Sequence, residues 1–253
     1  MKSTRSIFVT STCLWLMIGT ANAEFIGLNI GAGNFAPADG SAYNGSDYES
    51  IDLVDDLDTD NPEQSSMVLI LEHPIKSLPN IRYQGYDPDS SSPMTLNANI
   101  YFNGQTFTSG DEITSTYDLS QNDVVLYYQL YNKRLNLDLG VDLKSFDGEI
   151  SLAGPNSTSV EVDETIPLLY LSARYALPNS GFYVGADINA DVIDLGLSES
   201  SAHASTIMLG YDSGSGLGVE GGLKTFSLDL DDANNLDDEL EYDGLYLNGY
   251  FNF

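Results

Sequence analysis

The sequence is poor in cysteine, in basic side chains, in histidine and in long apolar runs, and each shortage closes off some chemistry. Its single cysteine, Cys13, sits in an N-terminal segment where Lys2 and Arg5 precede an apolar stretch from Ile7 to Gly19 and a small-x-small site, Ala21-Asn22-Ala23. That order marks a cleaved signal peptide, and the stretch falls short of the roughly 20 residues a membrane helix needs. Residues 1–23 are therefore expected to be removed, leaving 24–253 as one domain. Thr10-Ser11-Thr12 before Cys13 is no lipoprotein context. Beyond the leader no cysteine remains, so neither a disulfide framework nor a thiolate mechanism is open.

Nine bases face 38 acids, and two of the nine lie in the leader. Such a negative field repels phosphate backbones and excludes nucleic-acid binding, while it draws metal cations and basic partners. No later segment offers the long uncharged run of a membrane helix. An exported chain of this kind is periplasmic, secreted, or an outer-membrane barrel.

Alternation is what the sequence has in quantity. Leu135, Leu137, Leu139, Val141 and Leu143 face one way, with Asn136, Asp138, Gly140, Asp142 and Lys144 between them. Phe182, Val184, Ala186 and Ile188 alternate with Tyr183, Gly185, Asp187 and Asn189; Leu169 to Leu177 repeats the pattern. Period 2 sustained over ten or more residues fits the ~9–11 residues with which a tilted strand crosses a bilayer. Helix is excluded throughout, since no stretch sustains a 3.6-residue apolar period.

Turn signals fall into two alternating classes. Short ones are Pro74–Pro79, Asn132-Lys133-Arg134, Pro178–Gly181 and Asp212–Gly216; long ones are Ala36–Glu63, Asn103–Asp111, Ala153–Ser159, Ser198–Ala202 and Asp231–Leu240. Tight turns on one side and long loops on the other are the asymmetry of outer-membrane barrels. The chain is expected to be all-β: a transmembrane antiparallel up-and-down β-barrel of about ten strands, with eight or twelve as alternatives. Strands are expected near 25–35, 65–74, 80–101, 112–130, 135–150, 160–177, 182–197, 203–212, 217–230 and 241–253. An even count puts both termini in the periplasm.

The last strand ends Leu245-Tyr246-Leu247-Asn248-Gly249-Tyr250-Phe251-Asn252-Phe253, apolar on one face and Tyr/Asn on the other. Phe253, with Phe251 and Leu247, resembles the terminal signal read by the barrel assembly machinery.

Further residues carry a family resemblance. Glu24-Phe25-Ile26-Gly27-Leu28-Asn29-Ile30-Gly31-Ala32-Gly33 is similar to the mature start of a group of uncharacterised gammaproteobacterial outer-membrane proteins. Similar too are Tyr117-Asp118-Leu119-Ser120 leading into Val124–Leu130, Leu137-Asp138-Leu139-Gly140, Phe146-Asp147-Gly148, and the last strand. The family is known by a Gly-Gly motif, for which Gly221-Gly222 is the candidate. The resemblance implies a barrel in the bacterial outer membrane, reached by export through the inner membrane, among lipid and lipopolysaccharide. It implies no activity.

Candidate sites are few. His203-Ala204-Ser205 has the H-x-S spacing of lipid A deacylase barrels, with both side chains on one strand face; here Thr206-Ile207 follows instead of Asn-Ala. The plain reading, a histidine near a strand end, is preferred. The Asp-His pairs of barrel proteases have only His73 and His203 to draw on, and His73 stands in an expected periplasmic turn. Asp56-Leu57-Asp58-Thr59-Asp60 opens like a calcium loop but has Asn61 in the glycine place and Met67 in the glutamate place. Weak collective Ca²⁺ or Mg²⁺ binding is the expectation for Asp55, Asp56, Asp58, Asp60, Asp231, Asp232, Asp237, Asp238 and Glu239, with no dedicated cofactor. A solvated acidic surface is the plainer reading.

The rare bases Arg82, Lys144, Arg174 and Lys224 fall in expected strands, with Asp138, Asp142, Asp187, Asp191 and Glu220 as partners. A charge facing lipid at mid-depth costs about 2–4 kcal/mol, so these are expected to form a lumen network that plugs a narrow barrel. The function expected is non-enzymatic: a structural, surface-interacting barrel with acidic external loops. A small cation-favouring channel is the alternative, and a lipid-modifying hydrolase a distant third.

Overall fold

The computed structural model describes residues 27–44, 51–52, 64–87, 89–191, 200–232 and 236–253. Every element is a strand: β1 (Gly27–Asn44), β2 (Ile51–Asp52), β3 (Gln64–Glu72), β4 (Asn80–Asp87), β5 (Asp89–Thr95), β6 (Ile100–Phe102), β7 (Gln105–Phe107), β8 (Glu112–Asn132), β9 (Leu135–Ala153), β10 (Ser157–Ala176), β11 (Phe182–Ala190), β12 (Ser201–Asp212), β13 (Leu217–Asp232) and β14 (Leu236–Asn252). Hydrogen bonding runs β1-β3-β4-β8-β9-β10-β11-β12-β13-β14, all antiparallel, and β14 pairs back onto β1 to close a ten-stranded barrel. The extra strands are β5, which pairs with β8 beyond β4, and β2, which pairs with the far part of β1. Closure leaves each of the ten barrel strands paired on both sides, and Phe253 N–H donates to Leu28 O at 2.9 Å across the seam.

Ten is the strand number expected, and the terminal ends of the strands match their expected bounds. The loops differ. Ala153–Ser159 is a tight turn, because Ser157 pairs with Ala153, and β13 and β14 pair up to Asp232 and Leu236. Ala36 to Asn44 continues β1. Strand thus extends into three of the expected loops and stands above the rest of the barrel.

Why the strands run so far is visible in their faces. In the half that holds Gly27 and Phe253, called here the terminal half, the exterior is apolar: Met67, Leu69, Leu126, Leu139, Leu171, Leu209 and Leu247 are exposed. An aromatic belt of Tyr128, Tyr131, Tyr175, Phe182, Tyr211 and Phe253 rings its edge. An apolar band bounded by aromatics is what a membrane-spanning barrel presents to lipid. In the far half the pattern inverts. Along β9, outward Asp147 and Glu149 flank inward Phe146 and Leu152; along β10, outward Glu161, Asp163 and Thr165 flank inward Val162 and Ile166. The inversion falls at one level, marked outside by hydroxyl pairs: Ser145 Oγ with Thr165 Oγ1 (3.0 Å) and Ser205 Oγ with Thr225 Oγ1 (2.7 Å). One closed sheet therefore serves two solvents, inside-out where lipid surrounds it and core-in where water does.

The far half encloses an ordinary dry core. Phe35, Phe107, Phe146, Ile166, Leu168, Phe226 and Leu228 are all buried in one cluster. Part of it comes from a hairpin folded into the barrel mouth. β6 and β7 turn at Asn103-Gly104, both with positive φ (40° and 75°), the two-residue turn that Asn-Gly favours. The turn is tied to β10: Asn103 Nδ2 donates to Ser159 O (2.7 Å) and Thr158 Oγ1 to Asn103 O (3.3 Å). Ile100, Phe102 and Phe107 then drop into the core. The segment expected as an open external loop is a cap.

Candidate functional site

Below the core the lumen is polar, and glycine makes its shape. A Cβ on Gly210 would stand 2.1 Å from Cζ of Tyr183, and one on Gly218 equally close to Tyr250. These inward glycines let neighbouring tyrosine rings lie flat across the strand. Gly140 does the same between its two partners Tyr127 and Tyr170, whose rings meet edge-on at 6.0 Å. Tyr183 and Tyr127 direct their hydroxyls to the lumen acids Glu220 and Glu72.

At the inversion level the lumen is crossed by ionic side chains. Lys144, buried, donates to Asp123, directly opposite on β8. Asp142, fully buried, accepts from Asn189 Nδ2 at 2.5 Å. Lys224 lies over the Tyr86 ring, 3.8 Å from its centroid, with Phe35 behind it at 5.4 Å. One step lower, Arg174 Nη2 donates to Asp187 Oδ2 (3.2 Å) and its Nε stands 3.9 Å from Glu220 Oε2. Arg82 Nη1 reaches the same Asp187 oxygen at 3.7 Å. Glu220 also accepts from Tyr183 (2.8 Å) and Tyr246 (3.0 Å).

The structure thus gathers Arg82, Arg174, Asp187 and Glu220 into one network and Lys144, Asp142 and Lys224 into the level above it. Asp138 is buried in the lumen with its Oδ1 unpartnered. Asp191 is the correction: β11 ends at Ala190, so Asp191 leaves the wall and is exposed. Two acids of this lumen were not foreseen. Asp123 lies on the inward face Gln121-Asp123-Val125-Tyr127, and Glu72 accepts from Tyr127 (3.1 Å) and Gln129 (2.7 Å). Their alternation with apolar neighbours was the available signal.

Beneath the arginines lies a cavity of about 310 Å³ that reaches the terminal end, where Asn29 and Asn252 line it. Above, among Gln84, Asp123, Lys144 and Lys224, only about 40 Å³ remains, and the apolar core closes the rest.

The other candidates lie elsewhere. His203 is exposed on the outer face and Ser205 shares that face, its hydroxyl paired with Thr225. His73 stands in the β3–β4 turn, with Nε2 2.9 Å from Pro79 O. Asp55, Asp56, Asp58 and Asp60 lie outside the described residues. Asp231, Asp232, Asp237, Asp238 and Glu239 lie on the far ends of β13 and β14, where only the backbone is described; the register sets Asp231 opposite Asp237. Among the described residues, no group of three or more metal-ligating side chains gathers.

No family model and no curated protein matches the chain. Solved structures with a similar chain course include the translocator domain of the autotransporter NalP from Neisseria meningitidis (12% identity, 89% of this chain and 87% of that one, TM-score 0.37). The toluene transporter TodX of P. putida aligns at 10% identity over 91% of each chain, TM-score 0.33. A loop-deletion mutant of OmpT, an outer membrane protein of Vibrio cholerae, aligns at 9% identity over 90% of this chain and 99% of that one, TM-score 0.27. Likenesses this loose carry no argument; the barrel rests on its own strand pairing.

Proposed function

We propose that this chain is an outer-membrane β-barrel with a non-enzymatic, structural and surface-interacting role, its acid-rich far half standing outside the cell. The observation that supports it is the obstructed lumen. The cap hairpin and wall side chains fill the far half with buried apolar groups, and the ionic level beneath leaves only a small void. A solute path needs continuous polar lining, which this arrangement interrupts. In planar bilayers the purified protein should give no steady conductance. Large, stable cation-selective steps would replace this reading with the channel one.

Assembly supplies a second test. Phe253 projects outward at the seam, its ring edge-on to Phe251 at 4.6 Å. Read as an assembly signal, it must be aromatic, so Phe253→Asp should reduce outer-membrane levels several-fold. Wild-type levels of the variant would remove the signal from the proposal.

A further inference from the structure

The cavity at the terminal end is built in a way the closed-barrel role does not use. Its upper wall is internally balanced: Arg82 and Arg174 are matched by Asp187 and Glu220. Two carboxylates lining the cavity are then left over, Glu72 on β3 and Asp138 on β9. Asp138 is only 5% exposed and its Oδ1 has no partner. Asn136, two residues along on the same face, likewise has a buried Oδ1 without a donor. Both unmet groups lining the cavity are acceptors. Burying a carboxylate oxygen without a donor is costly, so the complement of this wall is a donor-rich cation.

Size and surroundings narrow the class. About 310 Å³ is the lower end of small-molecule pockets and far more than a bare ion occupies. Tyr127 and Tyr170 line the cavity together with the acids, and aromatic lining suits an ammonium group and its methylenes. We infer that this cavity binds a small aliphatic diamine, one ammonium at Asp138 and Asn136 and the other at Glu72. Two positive charges then balance the two uncompensated carboxylates. The ligand enters at the end lined by Asn29 and Asn252.

The test is calorimetry with putrescine on the full chain folded in detergent, at about 0.15 M salt, where screening confines surface attraction to about 8 Å. Saturable one-to-one binding is expected. Asp138→Asn should weaken it about tenfold or more, the loss of a charge-assisted hydrogen bond. Asn136→Ala, which leaves every charge in place, should weaken it several-fold. Asp163→Asn, an exposed acid on the outer wall, should change nothing. The inference is overturned by no saturable heat, by equal loss in Asp163→Asn, or by Ca²⁺ binding more tightly than putrescine through Asp138. Binding in detergent does not depend on conductance, so either reading can fail while the other stands.

Discussion

Phe107→Ala should lower the unfolding free energy by about 3–5 kcal/mol, the usual loss for a fully buried phenylalanine. Phe107 is 0% exposed at the centre of the far-half core, on a hairpin of two three-residue strands. Such a hairpin is not stable alone. Its place is held by Ile100, Phe102 and Phe107 inside the core and by the Asn103 bonds to β10 outside it. Thr106, exposed on the same strand, supplies the comparison, and Thr106→Ala should change stability by less than about 0.5 kcal/mol. Equilibrium urea unfolding in lipid vesicles reads both. Limited proteolysis adds a local signal, because loosening the cap should open the 96–111 segment to cleavage before the barrel unfolds. Equal stability of the two variants would mean that the hairpin only rests on the mouth.

The barrel was legible because lipid imposes a simple code. Where the outside is apolar and the inside polar, alternation is strict, and Leu135–Lys144 or the last strand reveals a membrane-length strand without further help. Beyond Lys144 the sequence still alternates, but with Phe146, Ile150 and Leu152 on the face that had carried Asp142 and Lys144. Periodicity alone does not say which side of a sheet is wet. Only the outermost residues of β9, β10, β13 and β14, within Ala153–Ser159 and Asp231–Leu240, are strand where loops are expected, because Gly, Ser, Asn and acid clusters there mimic turn signals. The cap hairpin had a readable signal in Asn103-Gly104, flanked by Ile100, Phe102 and Phe107. Its destination inside the barrel did not, since that depends on space left by wall strands distant in sequence. The lumen bases were legible as inward residues because lipid tolerates them poorly. Asp187 and Glu220, the partners of Arg82 and Arg174, were legible too; Asp123, the partner of Lys144, was not, because pairing depends on inter-strand register.

Lys144 shows the energetic consequence. Its expected partners were Asp138, Asp142, Asp187, Asp191 and Glu220, yet its ammonium binds Asp123, set directly opposite by the β8–β9 register. The pair lies where the lumen passes from polar to apolar, with the Phe146 and Phe226 rings within 6 Å of the ammonium. Neither charge has water to fall back on: the side chains are 1% and 7% exposed. Lys144→Met, close in length and apolar, leaves Asp123 buried and unbalanced near Asp142, and should cost about 3–5 kcal/mol. Asp123→Asn removes the stranded charge, so the double variant should recover most of that loss. Buried pairs add little net stability against well-packed neutral replacements; what is expensive is breaking one side. A double-mutant cycle on urea unfolding measures the coupling. Additive losses, or a Lys144→Met variant within about 1 kcal/mol of wild type, would show that the level tolerates a lone carboxylate and that the apolar core alone closes the lumen.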